Sequence, residues 1–180
     1  SDAMQQLAKQ LPDDHEVQIF FALSLLGTAP PGDTSFANQK QAAAILNGLL
    51  PLEPRHPGIA HYMIHSFDFP QLAPDALPAA RAYSKIAPDS PHALHMPSHI
   101  FTLLGLWQDS IASNLASADA GRRLVALRHP GAASMDTLHA LDYLEYSYLQ
   151  IGDETAARQV LPEAAAATTF DDPTFAAGYA

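Results

Sequence analysis

The chain has no cysteine. That excludes disulfides and thiolate-bound metals, and leaves the redox compartment undetermined. Basic residues are scarce: nine Lys and Arg stand against nineteen Asp and Glu, a formal net charge of −10. Gripping a phosphate backbone needs clustered cations, so this balance argues against a nucleic-acid partner. No apolar run is long enough to span a membrane, and no secretory leader is visible. A soluble, cytoplasmic protein is the default expectation, with the compartment itself unassigned. Glycine-rich loops and β-branched stretches are also missing, whereas alanine and leucine abound, which predicts an all-α fold. At 180 residues the chain is long enough for one domain with a substantial core. Ser1-Asp2-Ala3 ahead of Met4 reads as a cloning remnant, and the chain stops a few residues into a new helical pattern, so a fragment of a longer protein is expected.

What is abundant is punctuation. Fifteen prolines divide the helical patterns. Asp13 and Asp14 open a helix that Gly27 and Pro30-Pro31-Gly32 stop. Ser35 is expected to cap the next, which ends before Pro51 and Pro54. A third follows His56-Pro57-Gly58, Pro70 and Pro74 interrupt, and a fourth runs to Pro88. Ser90-Pro91 is a cap with proline at the first helical position, opening a fifth helix expected to continue to Gly105. The sixth runs from near Trp107 past Leu115 towards Leu127, the seventh to Gly152, and the eighth to the alanines near Ala167. Asp171-Asp172-Pro173 caps a ninth. The eight complete helices group into pairs over about 13–54, 55–88, 89–133 and 134–170.

The histidines repeat across these pairs. His61 and His65 stand four apart, and His95 and His99 repeat them 34 residues later, along with Pro54/Pro88 and Phe67/Phe101. A second register of 47 residues relates Leu94 to Leu141, His92 to His139 and Gly105 to Gly152. The thirteen extra residues fall around Arg122 to Ser134. Periods of this length are the mark of stacked helix–turn–helix units.

Leu104-Gly105-Leu106-Trp107 with Ile111, and Leu149-Gln150-Ile151-Gly152-Asp153 with Ala156-Ala157, resemble the mid-repeat turn of tetratricopeptide repeats (TPR). Pro54 and Pro88 are similar to their closing prolines. His61-Tyr62-Met63-Ile64-His65 and the segment from His92 to Phe101 resemble a bacterial group of His-rich TPR proteins of uncharacterised function. The resemblance implies an α-solenoid, a right-handed superhelix of about four pairs, with a concave groove lined by the first helix of each pair.

On the third helix His61, His65 and Asp68 form a polar stripe beside the apolar stripe of Ala60, Ile64 and Phe67. On the fifth, His92, His95 and His99 do the same, and on the seventh His139, Asp142 and Tyr146. Side-by-side packing of these helices would join the three stripes into one strip facing the groove. Three readings stay open. The strip binds a peptide or protein segment through imidazole hydrogen bonds. It holds a divalent metal, zinc by ligand type, through His61, His65, His95 and His99, with Asp68 or Asp142 completing or orienting the set. Or the histidines are a structural seam. The expected function is a non-enzymatic interaction scaffold needing no cofactor, with a metal-binding or metal-dependent hydrolytic protein as the alternative. His61 and His65 have the spacing of a zinc-protease helix, but Tyr62 occupies the place of the catalytic Glu. His15, His56 and His129 are expected to be solvated, and Trp107 to pack at a turn. Pro97 is expected to kink the fifth helix, and Tyr148 to face the core.

Overall fold

The computed structural model describes residues 2–171; the expected ninth helix lies outside them. Among the described residues the fold is all-α, with ten helices and a single isolated parallel bridge between Ala133 and Phe170. Two compact units divide it, Ser1–Ile86 and Ala87–Ala180.

The first unit contains α1 (Asp2–Gln10), α2 (His15–Gly27), α3 (Ala37–Leu49), α4 (Pro57–Phe67) and α5 (Ala73–Ile86). Successive helices pack on each other, and α2 also touches α4. Ile19, Leu46, Ile59 and Ile64 form the fully buried centre, closed by Ala76 and Ala80. The sequence reading passed over α1, although Met4, Leu7, Ala8 and Leu11 recur at helical spacing; Ala8 is the one buried residue of the helix. The Gln18 amide ties it down, donating to the carbonyls of Ala8 (2.9 Å) and Leu11 (3.2 Å). Ser35 does not cap α3. The residue before that helix is Phe36, at a left-handed φ of 55°, with no side-chain cap. Asp33 takes the role instead, accepting from the backbone N–H of Ser35 (2.9 Å) and Ala37 (3.4 Å). Its carboxylate reaches donors that a serine nearer the helix cannot, and the Ser35 side chain first, with the backbone bonds adding, holds its pKa below the usual value. Pro74 does not interrupt α5 but sits in its first turn, where a missing N–H costs nothing.

The second unit contains α6 (Pro91–His95), α7 (Pro97–Leu103), α8 (Trp107–Arg128), α9 (Met135–Gln150) and α10 (Glu154–Ala165). Both α6 and α7 pack on α8, α8 on α9, α9 on α10, and α6 also touches α9. Ile111, Leu138, Leu141 and Leu144 form a buried cluster, with Met135, Tyr148, Val160 and Phe170 packed against it. Tyr148 thus faces the core as expected. Gly121 lets α8 and α9 meet closely: a Cβ there would lie 2.5 Å from Thr137 Oγ1 and 3.2 Å from its backbone N. After α10 the chain returns to the start of α9. Ala133 N–H donates to Thr169 O (2.7 Å), and the Asp171 carboxylate accepts from Met135 N–H (2.9 Å).

The expected fifth helix is two helices. Pro97 has no N–H to offer the preceding turn, so the bonding shifts: Met96 N–H still reaches His92 O (2.9 Å), but His99 N–H closes on Met96 O (3.2 Å), one residue nearer than in an α-helix. Both registers of the sequence are visible in local geometry. Proline starts both α4 and α6, each after an extended cap residue, so His61 and His95 are each the fifth residue of their helices. Gly105 and Gly152 have φ of 69° and 77° just past the ends of α7 and α9. Each is followed by the same six-to-one bond, Leu106 N–H to Phe101 O (2.8 Å) and Asp153 N–H to Tyr148 O (2.9 Å). That is one left-handed glycine stop used twice, 47 residues apart.

Candidate functional site

The second unit gathers imidazoles. Ser90 caps α6 by accepting from Ala93 N–H at 3.4 Å, and with Pro91 it sets the phase of the helix. That phase turns His95 inward, leaving it 3% exposed against α8. Its Nδ1 lies 2.7 Å from Asn114 Oδ1, and its Nε2 lies 3.0 Å from His99 Nε2. His139 of α9 completes the group: one ring nitrogen from each of His95, His99 and His139 lies within 4.8 Å of the others. His95 is buried, His99 half-buried and His139 exposed, so the cluster runs from the core to the surface.

The bonding fixes the tautomers. The Asn114 carbonyl oxygen has no proton, so His95 Nδ1–H donates to it and His95 Nε2 carries the lone pair. His99 Nε2–H then donates to His95 Nε2, which lets His99 Nδ1 accept from the Tyr143 hydroxyl at 3.3 Å. At the other end, the Asn114 amide donates to Ser110 O (2.9 Å). Ser110 Oγ links to Thr102 Oγ1 (3.1 Å) and Ser147 Oγ (3.0 Å). A line of polar groups thus crosses α7, α8 and α9 with its members satisfied. Tyr143 closes one side of the cluster, its ring centroid 4.7, 5.2 and 5.4 Å from those of His95, His99 and His139.

Burial favours the neutral form of His95 and His139. Burial, reinforced by His139, His99 and His92 and opposed by the Asn114 bond, pushes His95 down to about 3. Partial burial lowers His139, with His99 adding to the effect and Asp142 and Asp136 opposing it. Partial desolvation by its neighbours also lowers His92, though the residue is exposed at the surface, against the pull of Asp136. At neutral pH these rings offer lone pairs, which is the form that ligates metals.

In the first unit His61 and His65 sit on unbroken α4, with their Nε2 atoms 3.0 Å apart. Tyr83 of α5 stacks on the His61 ring at 5.4 Å and 14°. The four-residue spacing therefore makes the same nitrogen pair in both units.

Asp68 is the C-cap of α4. His92 and Asp142 are exposed; Asp136 and His99 act on His92, and Asp142 acts on His139. Neither Asp68 nor Asp142 supplies an oxygen to a three-donor cluster among the described residues. Tyr146 is half exposed and meets Trp107 edge-on at 5.8 Å, away from the imidazoles. Tyr143, four residues after His139, is the tyrosine at the cluster. His15 and His56 are not merely solvated. His15 Nδ1 bonds Glu53 at 2.8 Å and His56 Nε2 bonds Glu16 at 2.9 Å, joining the start of α2 to the loop before α4. His129 is exposed, as expected.

Sequence reasoning passed over Asn114 and Tyr143. The signal for Asn114 was Ser110, Asn114, Ser117 and Gly121, a stripe of small residues at helical spacing that packs inward. Comparison with family models, with curated proteins and with solved structures finds no match.

Proposed function

We propose that this protein is a helical-repeat binding module whose second unit holds a transition metal of the zinc class through His95, His99 and His139. The observation that carries this is the convergence of three imidazoles, one of them locked from behind. Nitrogens on a tetrahedral zinc, at about 2.0–2.1 Å from the metal, are roughly 3.3 Å apart. His95 and His99 Nε2 are already at 3.0 Å, and the whole set lies within 4.8 Å. Metal-bound imidazoles commonly donate their other N–H to an oxygen acceptor, the part Asn114 Oδ1 fills for His95. When His99 Nε2 ligates, its proton moves to Nδ1, and the Tyr143 oxygen becomes the acceptor. This donor set differs from the four histidines expected from the sequence: His139 is the third ligand beside His95 and His99, and His61 and His65 belong to the first unit.

A second reading, the peptide or protein scaffold, is favoured by the exposure of His92, His139 and Asp142, which puts their polar atoms within reach of a partner segment. The finer fold reading goes with it. TPR-like pairs stacked as a right-handed solenoid are supported within the units by the contacts of α2 with α4 and α6 with α9, the first helices of successive pairs. An acidic chain with no helix long and apolar enough to cross a membrane among its described residues suits a protein partner better than nucleic acid or a bilayer.

The test is zinc titration of tag-free protein against a chromophoric chelator. One equivalent should bind, and His95→Ala or His139→Ala should abolish it. If the unmodified protein takes up no zinc, the metal reading is wrong and the imidazoles are a hydrogen-bonded seam.

A further inference from the structure

Resting on that metal reading, we infer that the site is open, with three protein ligands and a fourth position that takes a small monodentate anion from solution. The donor inventory is the first ground. Among the described residues, the group formed by His95, His99 and His139 contains no further His, Asp or Glu with a ligand atom in mutual reach. Zinc is most often four-coordinate, and three protein ligands plus one exchangeable ligand is the pattern of its reactive rather than its structural sites.

Charge is the second ground. Three neutral imidazoles leave a divalent ion with its full double positive charge. Asp136 and Asp142 act on His139 through space, but neither supplies an oxygen to the donor set. An anion entering the fourth position therefore meets an ion that its ligands have not neutralised, behind walls that exclude part of the water.

Access is the third. His95 closes the inner side and His139 is exposed, so the approach is from the surface. Tyr143 lies within 5.4 Å of all three rings, measured between centroids, and limits what can enter to something small. It also carries a hydroxyl near enough to compete for the position. That hydroxyl is directed at His99 Nδ1, the nitrogen facing away from the proposed metal, at 3.3 Å. A phenol bonded there supports the ligand His99 and leaves the fourth position to solvent.

The experiment loads the full chain with cobalt(II) and titrates it with azide while recording the visible ligand-field bands. Cobalt should bind one to one with the intense absorption of a four-coordinate ion. Azide should shift those bands in a saturable one-to-one step. If cobalt binds but azide changes nothing, a fourth protein ligand closes the site and the inference fails while the metal reading stands. Recovery of the azide shift only in Tyr143→Phe would name the phenolate as that closing ligand, and the inference would fail in the same way. If no cobalt binds, both fail.

Discussion

The two histidine pairs are the same motif in different surroundings. His61/His65 and His95/His99 share the four-residue spacing, a first histidine at the fifth residue of a proline-started helix, and a 3.0 Å contact between Nε2 atoms. The first pair rides an intact helix and is backed by the stacked face of Tyr83. The second straddles the break at Pro97, with His95 buried on an amide carbonyl and a third imidazole arriving from α9. A repeat copies residues, but chemistry depends on what the neighbouring helix places behind them. An aromatic face holds a ring in position without selecting its tautomer. A carbonyl oxygen dictates which nitrogen is protonated, and so which one can ligate.

That contrast is sharpest at Asn114, where the largest effect is expected. Asn114→Leu removes the acceptor behind His95 and leaves a buried N–H unpaired, at a cost of about 1–3 kcal/mol in stability. Zinc affinity should also fall by about 10–100-fold, the usual penalty for losing an outer-shell partner. Tyr83→Leu, which strips the support behind the other pair, should leave zinc affinity at the second unit unchanged. Chemical denaturation and chelator competition on both variants measure this. Equal losses of affinity would show that the pairs do not differ in the way described.

Acid tests the same contrast more gently. Burial holds folded His95 at about 3, whereas the unfolded chain takes up that proton near the ordinary value of about 6.5. The unfolded state thus binds more protons as pH falls below about 6.5, and the folded state loses stability with each step down towards 3. Between pH 7 and 5, in the presence of chelator, this amounts to up to about 2 kcal/mol at roughly 1.36 kcal/mol per unit. His95→Gln should remove that part of the slope, and His61→Gln should keep it. Denaturation midpoints at the two pH values decide, and a slope unaffected by His95→Gln would refute the assignment.

The helices and their order were legible because proline, glycine and capping residues mark ends through local geometry. Ser90, Ser134 and Asp153 each accept from a backbone N–H three residues on, as their sequence positions suggest. The grouping of His95, His99 and His139 was legible in outline, since the polar stripe on each first helix included them. What could not be read was the partner across the helix. Ser110, Asn114 and Ser117 look like a solvated face until α8 is seen to turn them inward, all three fully buried. On α9, Tyr143 and Tyr146 stand four and seven residues after His139, and both spacings lie close to one helical face. Only the packing of Trp107 on Tyr146 separates their roles. α1 did leave a mark, since Met4, Leu7, Ala8 and Leu11 recur at helical spacing, but that stripe buries only Ala8, and hydrogen bonds from the Gln18 side chain help to hold the helix in place.

Tyr143→Phe is the finest probe, and its expected effect is the smallest. The hydroxyl bonds His99 Nδ1 at 3.3 Å, a long contact on a half-buried ring, and the rest of the phenol is retained. Losing a hydrogen bond of this kind costs at the low end of about 0.5–1.5 kcal/mol, so a zinc affinity weakened about two- to threefold is expected. The direction carries the argument. When His99 Nε2 ligates, its Nδ1–H needs an acceptor, and the phenol oxygen is the one Phe removes; the variant should therefore weaken metal binding more than it weakens folding. In a purely structural seam the hydroxyl merely donates to a ring nitrogen that water can also satisfy. Folding would then change by that small amount, and there would be no metal affinity to change. Chelator competition and urea denaturation on the one variant separate the two cases, since the ratio of the two losses, not the size of either, reports which way the Tyr143–His99 bond is polarised when the site is filled.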